Sequence, residues 1–295
     1  MFTDLVPILE PGDLLVMNDT RVTARRLFGE RPSGGKVEAL LLEPQGNGRY
    51  VALVKPSKRL KTGSVISFED GLSAEVTADL GDGKRQLSFR EASDLESRLA
   101  RAGEVPLPPY ITERLQDPER YQTVFASRPG SAAAPTAALH FTREFLEKIR
   151  ERGVQIATVT LNVGIDTFRP VQSENLDEHR MHGESCSVPE PTADAIAHCK
   201  GRVIAVGTTT VRTLESLASG HRQVQSGSTR TSLFIRQGFK FQVVDGMLTN
   251  FHLPRTTMLV MISAFAGRQN IFRSYELAVQ EQYRFLSFGD AMLII

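Results

Sequence analysis

The sequence predicts an α/β protein with a small antiparallel β-barrel set inside it, and two textures along the chain carry that expectation. From Ala24 to about Arg90, short strand-like runs are separated by glycine turns, the pattern of hairpins closing into a barrel. After Tyr110, helical and strand-like runs alternate, which implies a mostly parallel sheet, open or closed. The opening residues belong with the second texture. The expected organisation is a discontinuous α/β domain of residues 1–23 and 107–295, with residues 24–106 inserted as the barrel.

Barrel strands are expected at Lys36–Glu43, Arg49–Lys55, Ser64–Glu69, Ser73–Leu80 and Arg85–Arg90. Gly34-Gly35, Gly46-Asn47-Gly48, Asp70-Gly71 and Gly81-Asp82-Gly83 supply the turns, because glycine, asparagine and aspartate tolerate the backbone angles that tight hairpins need. A charged helix over about Glu91–Ala102 follows, and the proline-rich run Val105–Tyr110 makes a stiff exit. In the α/β part, Thr142–Arg152 places Phe145, Leu146 and Ile149 on one helical face, with Thr142 as N-cap and Gly153 past the end. Val154–Leu161 and Arg202–Val206 read as strands. Ala193–Lys200, Val211–Ser219 and Ser274–Phe285 read as helices.

At 295 residues, with 41% hydrophobic and 23% charged content, the chain can bury a large core in two domains. A formal charge of +1 gives no global attraction to nucleic acid, so such a partner needs a local basic patch. The start MFTDLVPILE lacks the basic and apolar regions of a signal peptide. The apolar run Met258–Ala266 is far below the roughly 20 residues that cross a bilayer. Cys186 and Cys199 make no disulfide framework, which fits a cytoplasmic protein without a membrane partner.

Six regions are candidates for chemistry. In Val243–Gly267, the polar elbow Thr249-Asn250-Phe251-His252 lies between two apolar runs, and polar groups in that setting are costly to bury without partners. Arg202–Ser216 is a strand, a Gly207-Thr208-Thr209-Thr210 turn and a helix whose start suits an anion. Arg212 and Glu215 share one face of that helix, and a capped helix with a surface ion pair fits the same pattern. Ser131–Phe141 is a small-residue loop through Thr136 to His140, open to ligand approach or simply close-packed. Leu161–Val171 carries Asn162, Asp166 and Thr167 past a strand end, as a ligand loop or an Asx-type turn. His179–Cys186 matches no common zinc spacing, so hydrogen bonding by His182 is favoured over a metal. Finally, Lys55, Lys58, Arg59 and Lys61 at a hairpin tip, and Arg21 near the domain junction, form a patch for RNA phosphates or a solvated face.

Together these segments resemble the S-adenosylmethionine:tRNA ribosyltransferase-isomerases of queuosine biosynthesis. The matching text is GDLLVMNDTRVTARRLFG, VPLPPYI, YQTVFA, PGSAAAPTAALHF, TLNVGIDTFRPV, EHRMHGE, AVGTTTVRTLES, VDGMLTNFHLP, MISAFAG and YRFLSFGDAMLI, in family order across essentially the whole chain. The resemblance implies a barrel-like α/β catalytic domain interrupted by a small β-barrel. It implies transfer and isomerisation of the S-adenosylmethionine ribosyl group onto 7-aminomethyl-7-deazaguanine at the tRNA wobble position. Epoxyqueuosine-tRNA, adenine and methionine are the products. S-adenosylmethionine is a consumed substrate, so no cofactor and no metal is implied, and the expected partners are that substrate and the anticodon arm of tRNA, with the protein acting as a monomer.

A sulfonium acidifies the neighbouring ribose C5′ hydrogens, so the implied reaction needs a base, help for departing adenine and exclusion of water. His140 or His252 is the expected base, with His182 and Asp166 orienting or protonating groups. Gly207, Thr208, Thr209, Arg212 and Glu215 are expected around an anionic substrate group, with Thr136, Asn162 and Asn250 on hydroxyls or base edges. Asn162 stands where the family motif carries histidine, and Ala138 and Asp166 stand where it carries glycine. The family's opening segment before GDLL is expected to be missing. A catalytically weak homologue that only binds tRNA or nucleosides is the alternative.

Overall fold

The computed structural model describes the chain except for Ala24, residues 91–93, Pro109, Thr112, Arg114, residues 165–174, Arg180 and His182. It divides into two compact units. One comprises Met1–Arg21, Glu119–Arg128 and Ala134–Ile295; the other comprises Val22–Pro118 and Pro129–Ala133. In chain order α1 (Leu5–Ile8), β1 (Leu14–Asn18) and β2 (Thr20–Val22) come first.

The second unit is built on β3 (Arg25–Glu30), β4 (Lys36–Pro44), β5 (Arg49–Lys55), β6 (Val65–Phe68), β7 (Ser73–Gly81) and β8 (Lys84–Phe89). They close into an antiparallel barrel in the order β3-β4-β5-β8-β7-β6. Period-two alternation sends Tyr50, Ala52 and Val54 of β5, and Leu87 and Phe89 of β8, into the interior with Leu27, Val37, Ile66 and Val76. All five expected strands form. The sixth, β3, was not foreseen because only Leu27 of its six residues is buried and charges flank it. Gly29 on β3 meets β6 closely: a Cβ there would lie 2.4 Å from the Ser67 carbonyl oxygen. Helix α2 (Leu95–Ala102) buries Leu95 and Leu99 in the same core.

The remaining elements are β9 (Arg128–Ser131), α3 (Arg143–Glu151), β10 (Gln155–Leu161), β11 (Glu184–Val188), α4 (Glu190–Ala197), β12 (Val203–Val206) and α5 (Thr208–Ser216). They are followed by β13 (Ala218–Gly220), β14 (Gln223–Val224), β15 (Gly227–Thr231), β16 (Gly246–Asn250), α6 (Thr257–Ala266), α7 (Arg268–Gln280) and β17 (Ala291–Ile294). Seven strands make one sheet, β15-β11-β10-β1-β12-β16-β17. Its central four, β10-β1-β12-β16, run parallel, and β11, β15 and β17 are antiparallel to their neighbours. The sheet is therefore mixed, a correction to the mostly parallel expectation, and among the described residues it has two edges, β15 and β17. Two helices in succession, α6 and α7, separate β16 from β17, so the chain returns in the opposite sense.

The inner strands β1, β12 and β16 are buried along their whole length, as continuous apolar runs covered on both faces require. Leu14, Val16, Val203, Ala205 and Met247 pack on one face, and Leu15, Met17, Ile204, Val206 and Leu248 on the other. Helix α3 forms as expected, with Thr142 Oγ1 accepting from the Phe145 N–H at 3.1 Å and Phe145, Leu146 and Ile149 buried. Three helices begin upstream of their expected starts. Pro191 fits the first turn of α4, Thr208 opens α5 directly after Gly207, and α7 starts directly after Gly267. No helix among the described residues is long and apolar enough to cross a membrane.

Candidate active site

The parallel strands β1, β10, β12 and β16 all end at one edge of the sheet, where open α/β sheets bind ligands. Polar residues collect there because each apolar strand stops and the next residues leave the core. Asn18, the last residue of β1, ties the ends together. Its Nδ2 donates to the Leu161 carbonyl at 3.0 Å and to Thr209 Oγ1 at 3.3 Å, while its Oδ1 accepts from the Leu161 and Thr20 N–H groups. Thr20 Oγ1 donates to Asn162 Oδ1 at 2.9 Å, and Asp19 accepts from Thr160 Oγ1 at 2.6 Å. Asn162 thus serves as a fixed acceptor within this rim.

At the end of β16, Thr249 and Asn250 are strand residues and not part of an elbow, a correction to the sequence reading. Asn250 Nδ2 donates to Thr136 Oγ1 at 2.9 Å, and Asn250 Oδ1 is buried without a partner. Next to it lies His140, whose ring stacks on Phe2 at 4.8 Å and whose Nε2 is also buried without a hydrogen-bond partner. Burial lowers the His140 pKa below the ordinary 6.5, opposed by the Asp290 carboxylate and the Asn250 amide. His140 is therefore held toward its neutral form, with its ring beside the Asn250 amide.

His252 differs. It is buried, its Nε2 lies 2.8 Å from Thr249 Oγ1, and its backbone N–H donates to the Tyr275 hydroxyl at 2.7 Å. Burial pushes its pKa down to about 4. Its ring is engaged with Thr249 inside the fold, whereas His140 sits beside Asn250 and on Phe2.

Gly207 turns the chain from β12 into α5 with φ at +87°, a conformation that favours glycine. Thr208–Thr210 form the helix's first turn and do not cap it through their side chains; Thr210 Oγ1 instead donates to the Val206 carbonyl at 2.7 Å. The Thr210 N–H donates to the Gly207 carbonyl at 3.1 Å, while Thr208 and Thr209 come too early in the helix for an intrahelical acceptor, so the helix start keeps its affinity for anions. Arg212, one turn on, is buried and donates through Nη1 to Glu184 on β11. Glu184 also accepts from the Gly164 N–H at 2.7 Å. Arg212 Nε and Nη2 are buried without a partner.

The expected Arg212–Glu215 pair does not form. Glu215 faces the other way and accepts from the backbone N–H groups of Gln242, Val243 and Val244 at 2.9–3.1 Å, which gives it a structural job. Thr208, Thr209 and Arg212 line a narrow pocket with Met181, Leu233, Phe234, Ile235, Thr257, Met258 and Met261. Sequence reading missed Asn18, Thr20 and Glu184. The polar triplet Asn18-Asp19-Thr20 directly after the buried run Leu14–Met17 was the available signal for the first two. Ala138 is fully buried among Leu5, Phe141 and Leu146, so its methyl fills core space. His182 and Asp166 lie outside the described residues. Among the described residues, no group of three or more His, Cys, Asp or Glu side chains is placed to hold a metal.

In the barrel unit, Lys55, Lys58, Arg59 and Lys61 are exposed around the turn Ser57–Arg59. Buried Arg85 shapes that turn by donating to the Ser57 and Leu60 carbonyls at 2.8 and 2.7 Å. Arg21, in the sheet unit, is half exposed and ion-paired with Glu119.

The family model for "Queuosine biosynthesis protein" matches residues 1–294. A protein from Gloeobacter violaceus named S-adenosylmethionine:tRNA ribosyltransferase-isomerase is 52% identical over 100% of this chain and 85% of its own length. One of the same name from Staphylococcus epidermidis is 49% identical over 100% of this chain and 88% of its own. The crystal structure of an S-adenosylmethionine tRNA ribosyltransferase from Thermotoga maritima matches with a TM-score of 0.52 and 35% identity, covering 100% of this chain and 86% of that one. The chain belongs to the S-adenosylmethionine:tRNA ribosyltransferase-isomerase family.

Proposed function

We propose that this chain performs its family's reaction at the carboxyl edge of the seven-stranded sheet, making that unit the catalytic domain and the barrel its insertion. The reaction moves and isomerises the ribosyl group of S-adenosylmethionine onto 7-aminomethyl-7-deazaguanine in tRNA, giving epoxyqueuosine, adenine and methionine. The observation that supports the site is that polar residues gather where the parallel strands end, among them Asn250, which closes β16 with a buried Oδ1, and Arg212, in the helix after β12, with buried Nε and Nη2, all three atoms without a partner in the fold. Buried polar groups are nearly always hydrogen-bonded, so such exceptions at the strand ends fit places where a ligand completes the structure.

His140 is the base in this reading. Burial favours its neutral ring, and that ring removes a C5′ proton made acidic by the sulfonium. The ribose opens with loss of adenine, the acceptor amine attacks, and epoxide closure expels methionine. Asn250 Oδ1 accepts from a substrate hydroxyl or amine, with its amide oriented by Thr136. Asn18 and Thr20 hold Asn162 and Thr209 in place. Gly207, Thr208, Thr209 and Arg212 receive an anionic group of the substrate. His252 keeps the β16 end in shape. His182 and Asp166 orient or protonate groups on the strength of the family resemblance. The exposed cations Lys55, Lys58, Arg59 and Lys61 grip phosphates of the tRNA anticodon arm, whose unstacked bases a protein can reach. The work is cytoplasmic, where the tRNA is.

The test is an incubation with S-adenosylmethionine and tRNA carrying the 7-aminomethyl-7-deazaguanine base, read by nucleoside mass spectrometry. Epoxyqueuosine with matching adenine release is the expected result. Retained tRNA affinity with no adenine release from folded protein would instead establish the binding-only homologue.

A further inference from the structure

A carboxylate buried in a sheet is costly, and the cost makes sense where the group does work that an apolar side chain cannot. Resting on the reading that Arg212 receives an anionic group of the substrate, we infer that Glu184 is its positioning residue. The two carboxylate oxygens tie the Arg212 guanidinium to the chain leaving β10, so that its open edge is presented in one fixed orientation.

The alternation of β11 sends Glu184, Cys186 and Val188 inward, and the strand packs against α5, which carries Arg212. Glu184 is buried, and each of its oxygens has its own donor. Oε2 accepts from Arg212 Nη1, and Oε1 accepts from the Gly164 N–H at 2.7 Å. The chain around Gly164 is anchored a second time: the Asn162 N–H donates to the Ser185 carbonyl at 3.0 Å, and Asn162 Oδ1 accepts from Thr20 Oγ1. Glu184 therefore joins the exit of β10 to α5 at the carboxyl edge of the sheet. Two converging donors require a carboxylate. A glutamine would turn its own N–H groups against one of them. With Nη1 held, Arg212 keeps Nε and Nη2 buried without a partner. Those two nitrogens form one edge of the planar fork, and fixing the third nitrogen fixes the plane. An apolar pair of similar volume would serve stability as well or better, so the ion pair is explained by orientation.

The test is a double-mutant cycle in the full-length protein: Glu184→Gln, Arg212→Lys and the two combined. In the epoxyqueuosine assay, kcat and KM are measured with S-adenosylmethionine and acceptor tRNA varied in turn. Arg212→Lys keeps a cation, loses the fork and is expected to raise one of the two KM values about tenfold. Glu184→Gln is expected to raise that same KM by a similar factor with kcat within about twofold of wild type. The double variant is expected to be no worse than Arg212→Lys, because a residue that acts through another adds nothing once the other is gone. Glu184→Asp, which keeps both acceptor oxygens, is expected to recover part of the loss, and it replaces Glu184→Gln in the cycle if glutamine prevents folding. A second readout does not depend on turnover. Arginine side-chain nitrogen NMR is expected to show restrained Arg212 Nη signals in wild type, assigned by their loss in Arg212→Lys, and rotationally averaged ones once Glu184 is replaced. Losses that multiply in the double variant, or Arg212 signals that Glu184→Gln leaves restrained, would overturn the positioning role while Arg212 keeps its own. Arg212→Lys with both KM values unchanged would instead remove the reading on which that role rests.

Discussion

Two buried arginines, one in each unit, carry similar burial and opposite roles. Arg85 in the barrel is 6% exposed and uses its guanidinium fully: Nε on the Leu60 carbonyl, Nη1 on Asp79 and the Lys84 carbonyl, Nη2 on the Ser57 carbonyl. Arg212 in the sheet unit is 5% exposed and uses Nη1 alone, on Glu184. A buried arginine with every group satisfied is part of the scaffold. One that keeps its bidentate edge open, beside a helix start, is part of the site in the proposed reading. Burial alone does not separate the two; the hydrogen-bond accounting does.

That contrast can be broken in several ways. The largest effect is expected at His140. His140→Gln should lower kcat by roughly 10²–10⁴-fold at unchanged melting temperature, the usual cost of removing a general base. Turnover within a few-fold of wild type would move the base elsewhere. Next come the arginines. Arg212→Met leaves Glu184 buried without its cation and should cost about 3–5 kcal/mol of stability, read from urea unfolding. The double replacement Arg212→Met/Glu184→Met should recover most of that stability and none of the activity. Arg85→Met should also destabilise, by about 2–3 kcal/mol, because carbonyls of the basic turn lose their donors. Its KM for S-adenosylmethionine should stay within about twofold of wild type, since such a change leaves binding groups for that substrate intact. An Arg85 variant that selectively lost S-adenosylmethionine binding would erase the distinction.

The basic turn supplies a smaller effect of a different kind. Replacing Lys58, Arg59 and Lys61 with alanine should reduce the salt slope of tRNA binding by about 2, at roughly 0.7 per phosphate contact on single strands. An unchanged slope would make the turn a solvated face. The last effect is on pH. The folded state holds His252 neutral down to about 4, while the unfolded chain protonates near 6.5. In that window the unfolded state binds more protons, so stability falls as pH drops from about 6.5 to about 4. The slope is at most about 1.4 kcal/mol per pH unit for one proton. His252→Gln should flatten it, and a variant with the wild-type slope would show that another group titrates.

Much of this was legible in the chain because the signals were local. Each of the five expected barrel strands carries its own alternation and its own glycine turn, and Thr142 and Gly153 bracket α3 within a dozen residues. Where the outcome depends on distant partners, local pattern fails. Strand β3 hides because its buried content is Leu27 alone, and its place is made by β4 and β6. The direction of β17 depends on how many helices precede it. At the site, Thr136, Asn162, Thr209, Arg212 and Asn250 were visible as polar residues at the ends of apolar runs. Glu184 was not assigned to Arg212, because spacing along one helix favours Glu215 three residues away, while the real partner arrives on β11.

The most direct measurement is release of deuterium to water from S-adenosylmethionine labelled at ribose C5′, with acceptor tRNA present. Wild type and Arg85→Met are expected to release the label as epoxyqueuosine forms, and His140→Gln, equally folded, is expected to release almost none. Wild-type release by His140→Gln would contradict the assignment of the chemistry to the open groups at the sheet's carboxyl edge.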